Sequence, residues 1–357
     1  MGKKVALVAG ASGVVGSRVV ELLSASSEWK AVACSRRPPP LESHHAGANY
    51  VSVDLIDTES CRRLARDLDG VTHLFYAARH EFTTGEHEAS ARNTLMFRNI
   101  LDALEETDHP LEHVHMVHGT KYYGSTLGPF QTPARETDPR GLLSNFYYEQ
   151  EDLVAARSGT RRWSWSISRP HGVCDSSLAT PRSMPLLIAA YASICQHLGQ
   201  PLCFPGTREN YRAIYQCTDA RLLAQAIVWM ASEPQCADQA FNVTNGDFFR
   251  WERLWPAFAD YFGLDSGPVR TIRLAEIMPD KGKIWNEVIA RHNLAATPFE
   301  RMALWSYGDF IFTPGWDMMS STTKLRQYGF HGFADSEEMF FRYFDSFRAA
   351  SIIPPAA

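Results

Sequence analysis

Near its start the chain carries a run of apolar residues, Val5-Ala6-Leu7-Val8-Ala9, short and unbroken, as a strand buried on both faces would be. A glycine-rich turn follows from Gly10 to Gly16. Ser17-Arg18-Val19-Val20-Glu21-Leu22-Leu23 then places its apolar side chains at helical spacing. The alternation repeats. Residues 31–34, 50–54, 73–77, 114–117 and 165–169 read as strands, with helices predicted over about 59–68 and 88–104. Strand–helix alternation this regular implies right-handed crossovers and a parallel sheet, the α/β doubly wound class.

After Pro170 the pattern changes. Residues 181–198 read as mostly helical, and Ala240-Phe241-Asn242-Val243 as one more strand. Residues 248–346 are helical and aromatic, with Trp251, Trp255, Phe258, Tyr261, Phe262, Trp305, Phe310, Phe340 and Phe341. The expected organisation is a Rossmann-type core over 1–175 and a smaller, mainly helical substrate lobe over 176–357. The lobe would pack over the C-terminal edge of the sheet, with about 205–245 returning to the core. No repeat or low-complexity linker interrupts the chain, and Pro38-Pro39-Pro40 is too short to separate domains.

Composition narrows the function. At 357 residues and 45% hydrophobic the chain can bury a large core, which excludes disorder. A net charge of −5 offers no basic field, so no nucleic-acid partner is expected. No run approaches the roughly 18–20 apolar residues of a membrane span. Cysteines at 34, 61, 174, 195, 203, 217 and 236 form no CxxC pair, which argues against a disulfide framework or a zinc site, and no metal is expected. The first strand begins with no signal peptide before it, so the chain reads as cytoplasmic.

Gly10-Ala11-Ser12-Gly13-Val14-Val15-Gly16 joins the first strand to the first helix. Glycine there lets backbone approach a pyrophosphate, and the helix N-terminus offers free N–H groups to the anion. Gly10, Ser12, Gly13, Val14 and Gly16 are therefore predicted cofactor contacts. The second strand ends in Ser35-Arg36-Arg37, where an NAD enzyme often carries an acid. Two guanidinium forks suit a 2′-phosphate instead, which predicts NADPH. Asp54 ends the third strand, where a carboxylate can accept from the adenine amino group. Leu55, Ala78 and Val173 complete the expected cofactor lining.

Short-chain dehydrogenases usually carry Tyr-x-x-x-Lys on one helix. Here Tyr147 meets Glu151 at i+4 and Tyr148 meets Asp152, and a carboxylate cannot do a cation's work. A lysine does follow the fifth strand, in His118-Gly119-Thr120-Lys121-Tyr122-Tyr123-Gly124, where open α/β sheets place their active sites. Asn145-Phe146-Tyr147-Tyr148-Glu149-Gln150-Glu151-Asp152 starts a helix downstream.

These two motifs, with Gly128-Pro129-Phe130, Ser168-Arg169-Pro170 and Asn242-Val243-Thr244-Asn245-Gly246-Asp247, resemble the progesterone 5β-reductase/iridoid synthase-like family of atypical extended short-chain dehydrogenases. The likeness runs over nearly the whole chain. It implies an NADPH-dependent reductase that adds hydride to the β-carbon of an enone, with Lys121 and Tyr147 as the catalytic pair and as cofactor contacts too, Lys121 holding the cofactor ribose. Tyr148, next in the chain, stands as the alternative phenol and as a substrate contact. Phe130 and Phe340 are implied pocket residues, with Met184, Trp305 and Phe310 as further candidates. The implied partner is a small apolar enone, and a homodimer is the family expectation. His118 would bond the cofactor ribose, cap the strand or donate a proton. The chain departs from the family where Ala78-Arg79 replaces Thr-Trp and where His171-Gly172 replaces Gly-Asn. The loop from Lys121 to Phe130 is also longer. Other readings are a carbonyl reductase or an epimerase/dehydratase-like enzyme, and a non-catalytic NADPH-binding regulator.

Overall fold

The seven predicted strands build one sheet. In the computed structural model, which describes residues 3–39, 44–80, 90–178 and 180–356, they are β1 (Lys4–Ala9), β2 (Trp29–Ser35), β3 (Ala48–Ser52), β4 (His73–Tyr76), β5 (His113–Val117), β6 (Ser164–Pro170) and an edge strand, Gln239–Val243. All pairings are parallel, in the order edge strand, β6, β5, β4, β1, β2, β3. Strand order reverses between β1 and β4. Ligands of open α/β sheets bind at such a switch point, beyond the strands' C-terminal ends.

Both faces are covered, which is why the strands read as apolar runs. One face packs on the helices α2 (Thr58–Asp67), α3 (Ser90–Glu106) and α4 (Phe146–Ser158), through Leu64, Phe97, Ile100, Leu104 and Val154. The other packs on α1 (Val14–Ser24) and the helix Ala220–Ser232, through Val19, Val20, Leu23, Leu223, Ile227 and Met230. The predicted start of α3 at 88, and Pro40, lie outside the described residues.

A second apolar core fills the C-terminal half. The helices Met184–His197, Trp251–Phe262 and Ser336–Ala349 bring together Trp251, Trp255, Phe258, Phe312, Phe340 and Phe344. Their rings meet edge to face, as at Phe258–Phe340, 5.1 Å between centroids. The seven cysteines are buried and unbridged. No helix among the described residues is long and apolar enough to cross a membrane.

One polar line runs inside the sheet. His113 bonds Ser164 and Ser166 at 2.9 and 2.7 Å, and His115 bonds Ser166 and Ser168 at 2.8 and 3.1 Å. Burial above all holds these rings neutral: the pKa falls to about 3 for His113 and about 4 for His73, and well below 6.5 for His115 and His118. In the unfolded chain each protonates near its ordinary 6.5. Below that pH the unfolded state binds more protons, so stability falls as pH drops, by about 1.4 kcal/mol per pH unit for each such histidine. The urea midpoint should therefore be flat above about pH 7 and drop between about pH 6.5 and 5, above the carboxylate range. A midpoint constant across that window would show that the rings ionise within the fold.

Candidate active site

The turn after β1 is built for close approach. Gly10 has φ +84°, and a Cβ there would stand 2.6 Å from the Ala78 nitrogen. A Cβ on Gly16 would stand 2.3 Å from the Gly10 carbonyl oxygen, so α1 can lie against β1 only with glycine at both positions. Gly13 supplies no side-chain cap, which leaves the first N–H groups of α1 open. Gly10, Ser12, Gly13 and Val14 face a cavity of about 1590 Å³, while Gly16 sits buried behind them. Arg36, Arg37, Asp54, Leu55, Ala78, His118 and Val173 line the same cavity. Asp54 also accepts from the Ile56 N–H at 3.0 Å.

Across the switch point β5 ends in a single turn of 3-10 helix, Thr120–Tyr123, which turns Lys121 into this cavity. Its Nζ lies 5.8 Å from the ring centroid of Phe310, on the lobe. Tyr147 reaches the cavity from the first turn of α4. That helix begins where the Asn145 side chain accepts from the Tyr147 N–H at 3.0 Å, and its start aims the phenol. The Tyr147 ring stacks on His118, 4.5 Å apart and 16° from parallel. A Cβ on Gly119 would come within 3.4 Å of its hydroxyl.

Glu151, at the place where the usual motif has lysine, is turned away from the cavity. It meets the guanidinium of Arg169 at 2.9 Å and that of Arg140 at 3.0 Å. Arg169 is 1% exposed. It lies 3.4 Å over the Tyr122 ring and bonds the Tyr123 hydroxyl at 3.2 Å, and that hydroxyl donates to Asn242 at 2.7 Å. The cation of β6 thus clamps the residues that follow Lys121. Sequence spacing held no sign of this, because Arg169 and Tyr122 lie on different strand ends.

Two histidines complete the wall. Gln150 donates to the Asn93 carbonyl at 3.1 Å, so its oxygen accepts from His118 Nε2, 3.2 Å away. The ring proton therefore faces Gln150, and Nδ1, buried without a protein partner, is an acceptor. This corrects the reading of His118 as a proton donor. His171 meets the Thr120 hydroxyl at 2.6 Å through Nδ1, and its buried Nε2 has no protein partner. Burial pushes its pKa down to about 4.

Three expected substrate contacts, Tyr148, Phe130 and Phe340, stand off the cavity lining. The Tyr148 hydroxyl donates to the Tyr122 carbonyl at 2.6 Å and accepts from the Gly141 N–H at 2.7 Å, which spends it on the loop outside the cavity. Phe340 is fully buried in the lobe core, and Phe130 packs behind the wall, against the clusters that hold Tyr147 and Phe312, without lining the cavity itself. Met184 and Trp305 are core residues too. Phe310 does line the cavity, together with Tyr215, Ile272, Tyr307, Trp316 and Met318. These last belong to segments far apart in the chain, and no motif announced them.

A parallel sheet with a glycine turn after β1, and with lysine and tyrosine brought to its C-terminal edge, defines a Rossmann protein of the short-chain dehydrogenase/reductase type. The fold is similar to UDP-glucose 4-epimerase of Thermotoga maritima, with a TM-score of 0.69 and 14% identity over 97% of this chain and 99% of that one. It is similar also to a short-chain dehydrogenase/reductase superfamily protein of Agrobacterium tumefaciens, with a TM-score of 0.66 and 17% identity over 97% of each. Residues 6–354 match the PRISE-like Rossmann-fold domain, and the chain belongs to that family of oxidoreductases. It is 32% identical over 367 residues to (S)-8-oxocitronellyl enol synthase of Antirrhinum majus, covering 99% of this chain and 93% of that protein. It is also 32% identical over 370 residues to 3-oxo-Delta(4,5)-steroid 5-beta-reductase of Arabidopsis thaliana, covering 99% and 94%.

Proposed function

We propose that this protein is an NADPH-dependent enone reductase that saturates the C=C bond conjugated to a ketone or aldehyde. The observation that carries the reading is that Lys121 and Tyr147, from separate elements, face one cavity with the glycine turn. The names of its relatives, a 5-beta-reductase among them, support it.

The residues present fit a phosphorylated dinucleotide. The uncapped start of α1 and the two glycines that admit no Cβ suit a pyrophosphate. Arg36 and Arg37 suit a 2′-phosphate, Asp54 an adenine amino group, and the lone pair on His118 Nδ1 a ribose hydroxyl. NADPH, when bound, would supply the hydride for the β-carbon, and the enolate left on the substrate takes its proton at the α-carbon from solvent to give the saturated product. The chain does the rest. Tyr147 donates a hydrogen bond to the substrate oxygen as negative charge builds there. Lys121 keeps the field at that oxygen positive and orders the phenol. Phe310, Ile272, Trp316 and Met318 hold an apolar substrate body and keep water from the reacting carbons.

The test is NADPH oxidation with 2-cyclohexen-1-one, followed by product analysis. The expected product is cyclohexanone. An allylic alcohol would overturn the reading in favour of carbonyl reduction. In the same assay Arg36→Ala with Arg37→Ala should raise the KM for NADPH by about tenfold or more, the worth of one charge-assisted hydrogen bond. An unchanged preference for NADPH over NADH would remove these residues from the 2′-phosphate.

A further inference from the structure

The cavity has a second cationic end. Beside Lys121 its lobe wall carries Arg182, Arg273 and Arg301, against one carboxylate, Asp309. That carboxylate is already engaged: it accepts from the backbone N–H groups of Leu274 at 2.7 Å and Ala275 at 3.1 Å. Arg273 is compensated by Glu276 at 3.3 Å. Arg182 and Arg301 are not among the ion pairs formed by the described residues. Arg182, half-buried, is held in place by its stacking over Tyr307, 4.7 Å from the ring centroid.

These cations are not the dinucleotide's. Arg36 and Arg37 directly follow β2, whereas Arg182 stands just before the helix Met184–His197 and packs on Tyr307 of the lobe, next to Pro181, whose carbonyl accepts from the Leu304 N–H at 2.8 Å. Between them stand β1, with its phosphate turn, and β5, with Lys121. On the substrate side of that divide, Thr120 can donate to His171 Nδ1, which leaves the ring's N–H on Nε2, buried and unpartnered in the cavity wall. His171 packs on Tyr215 at 4.9 Å, and Tyr215 also lines this wall. A wholly apolar substrate would leave an imidazole N–H without an acceptor and a half-buried guanidinium with the Tyr307 hydroxyl as its neutral acceptor and no anion, at a cost in binding.

We infer that the physiological substrate is an enone bearing an anionic group, of carboxylate or phosphate chemistry, at the end remote from the reacting double bond. Arg182, with Arg301, binds that group, and His171 donates to an oxygen along the way. This rests on the reductase reading above and adds the substrate's charge to it. The apolar wall still holds the body of the molecule.

The experiment compares a cyclohexenone bearing a short alkyl carboxylate with its methyl ester, by kcat/KM with NADPH. The wild type should favour the acid by at least about tenfold, one charge-assisted hydrogen bond's worth. Arg182→Met should bring the ratio toward one, Arg182→Lys should restore part of it, and added salt should lower it. Arg301→Gln, at an exposed position that folding tolerates, should lower it too, and it decides the matter if Arg182→Met does not fold. A wild-type ratio of one or below, or a ratio indifferent to both substitutions, would overturn the inference. The saturated acid and ester are titrated in parallel onto the NADP⁺-loaded protein by calorimetry. If no enone is reduced while the saturated acid binds better in an Arg182-dependent way, the reductase reading fails and the anion site stands. If both enones are reduced alike, the reductase reading stands and the anion site fails.

Discussion

Tyr147→Phe should lower kcat for enone reduction by about 10²–10³-fold, the usual cost of removing one donor from an oxyanion site. The phenyl ring still stacks on His118, 4.5 Å away, so the fold and the dinucleotide site should survive. The loss should fall on kcat more than on KM, because the donor matters most when charge has developed on the substrate oxygen. Lys121→Met should produce a similar loss and, through the ribose, weaken NADPH as well. Tyr148→Phe is the internal control. Its hydroxyl is spent on Tyr122 and Gly141, so it should cost stability and leave the chemical step largely intact. Steady-state kinetics with 2-cyclohexen-1-one and fluorescence titration of NADPH separate these effects. A Tyr147→Phe enzyme with wild-type kcat would sink the assignment of the phenol.

Arg169→Met should destabilise the protein by about 3–5 kcal/mol, the usual cost of leaving one member of a buried ion pair alone. Glu151 keeps Arg140 at 3.0 Å, which places the effect toward the lower end. Arg169→Lys keeps the charge but loses the planar fork that covers Tyr122 and bonds Tyr123, so it should recover only part of the loss. Because this guanidinium clamps the turn that carries Lys121, either variant should also lower kcat at temperatures where it stays folded. Urea unfolding with both variants measures the first effect. A change under about 0.5 kcal/mol, the range of ordinary surface substitutions, would show that the clamp is dispensable.

Much of the site was legible in the chain. The glycine turn shows because only glycine permits Gly10 to approach Ala78 and Gly16 to approach Gly10, so the constraint is written at single positions. Lys121 shows because it follows an unmistakable strand. Tyr147 against Tyr148 did not show. Adjacent residues in a first helical turn point about 100° apart, and which one faces the cavity depends on how α4 lies against β5. Phe340 misled for a related reason. An aromatic at helical spacing fits a pocket wall and a packed core equally well, and here it is core, closed in by Phe258 and Trp251.

By itself the sequence determined the doubly wound sheet and the phosphate turn, since each rests on local periodicity or on a residue type that a local conformation demands, and its resemblance to a reductase family paired the lysine and tyrosine motifs. Only the tertiary structure decided which phenol enters the cavity, that Glu151 turns away to Arg169, and that Arg182, Arg301 and His171 share a wall with Lys121. Those relations join strand ends and lobe segments far apart in the chain, and side chains that meet only through packing leave no period or spacing to read.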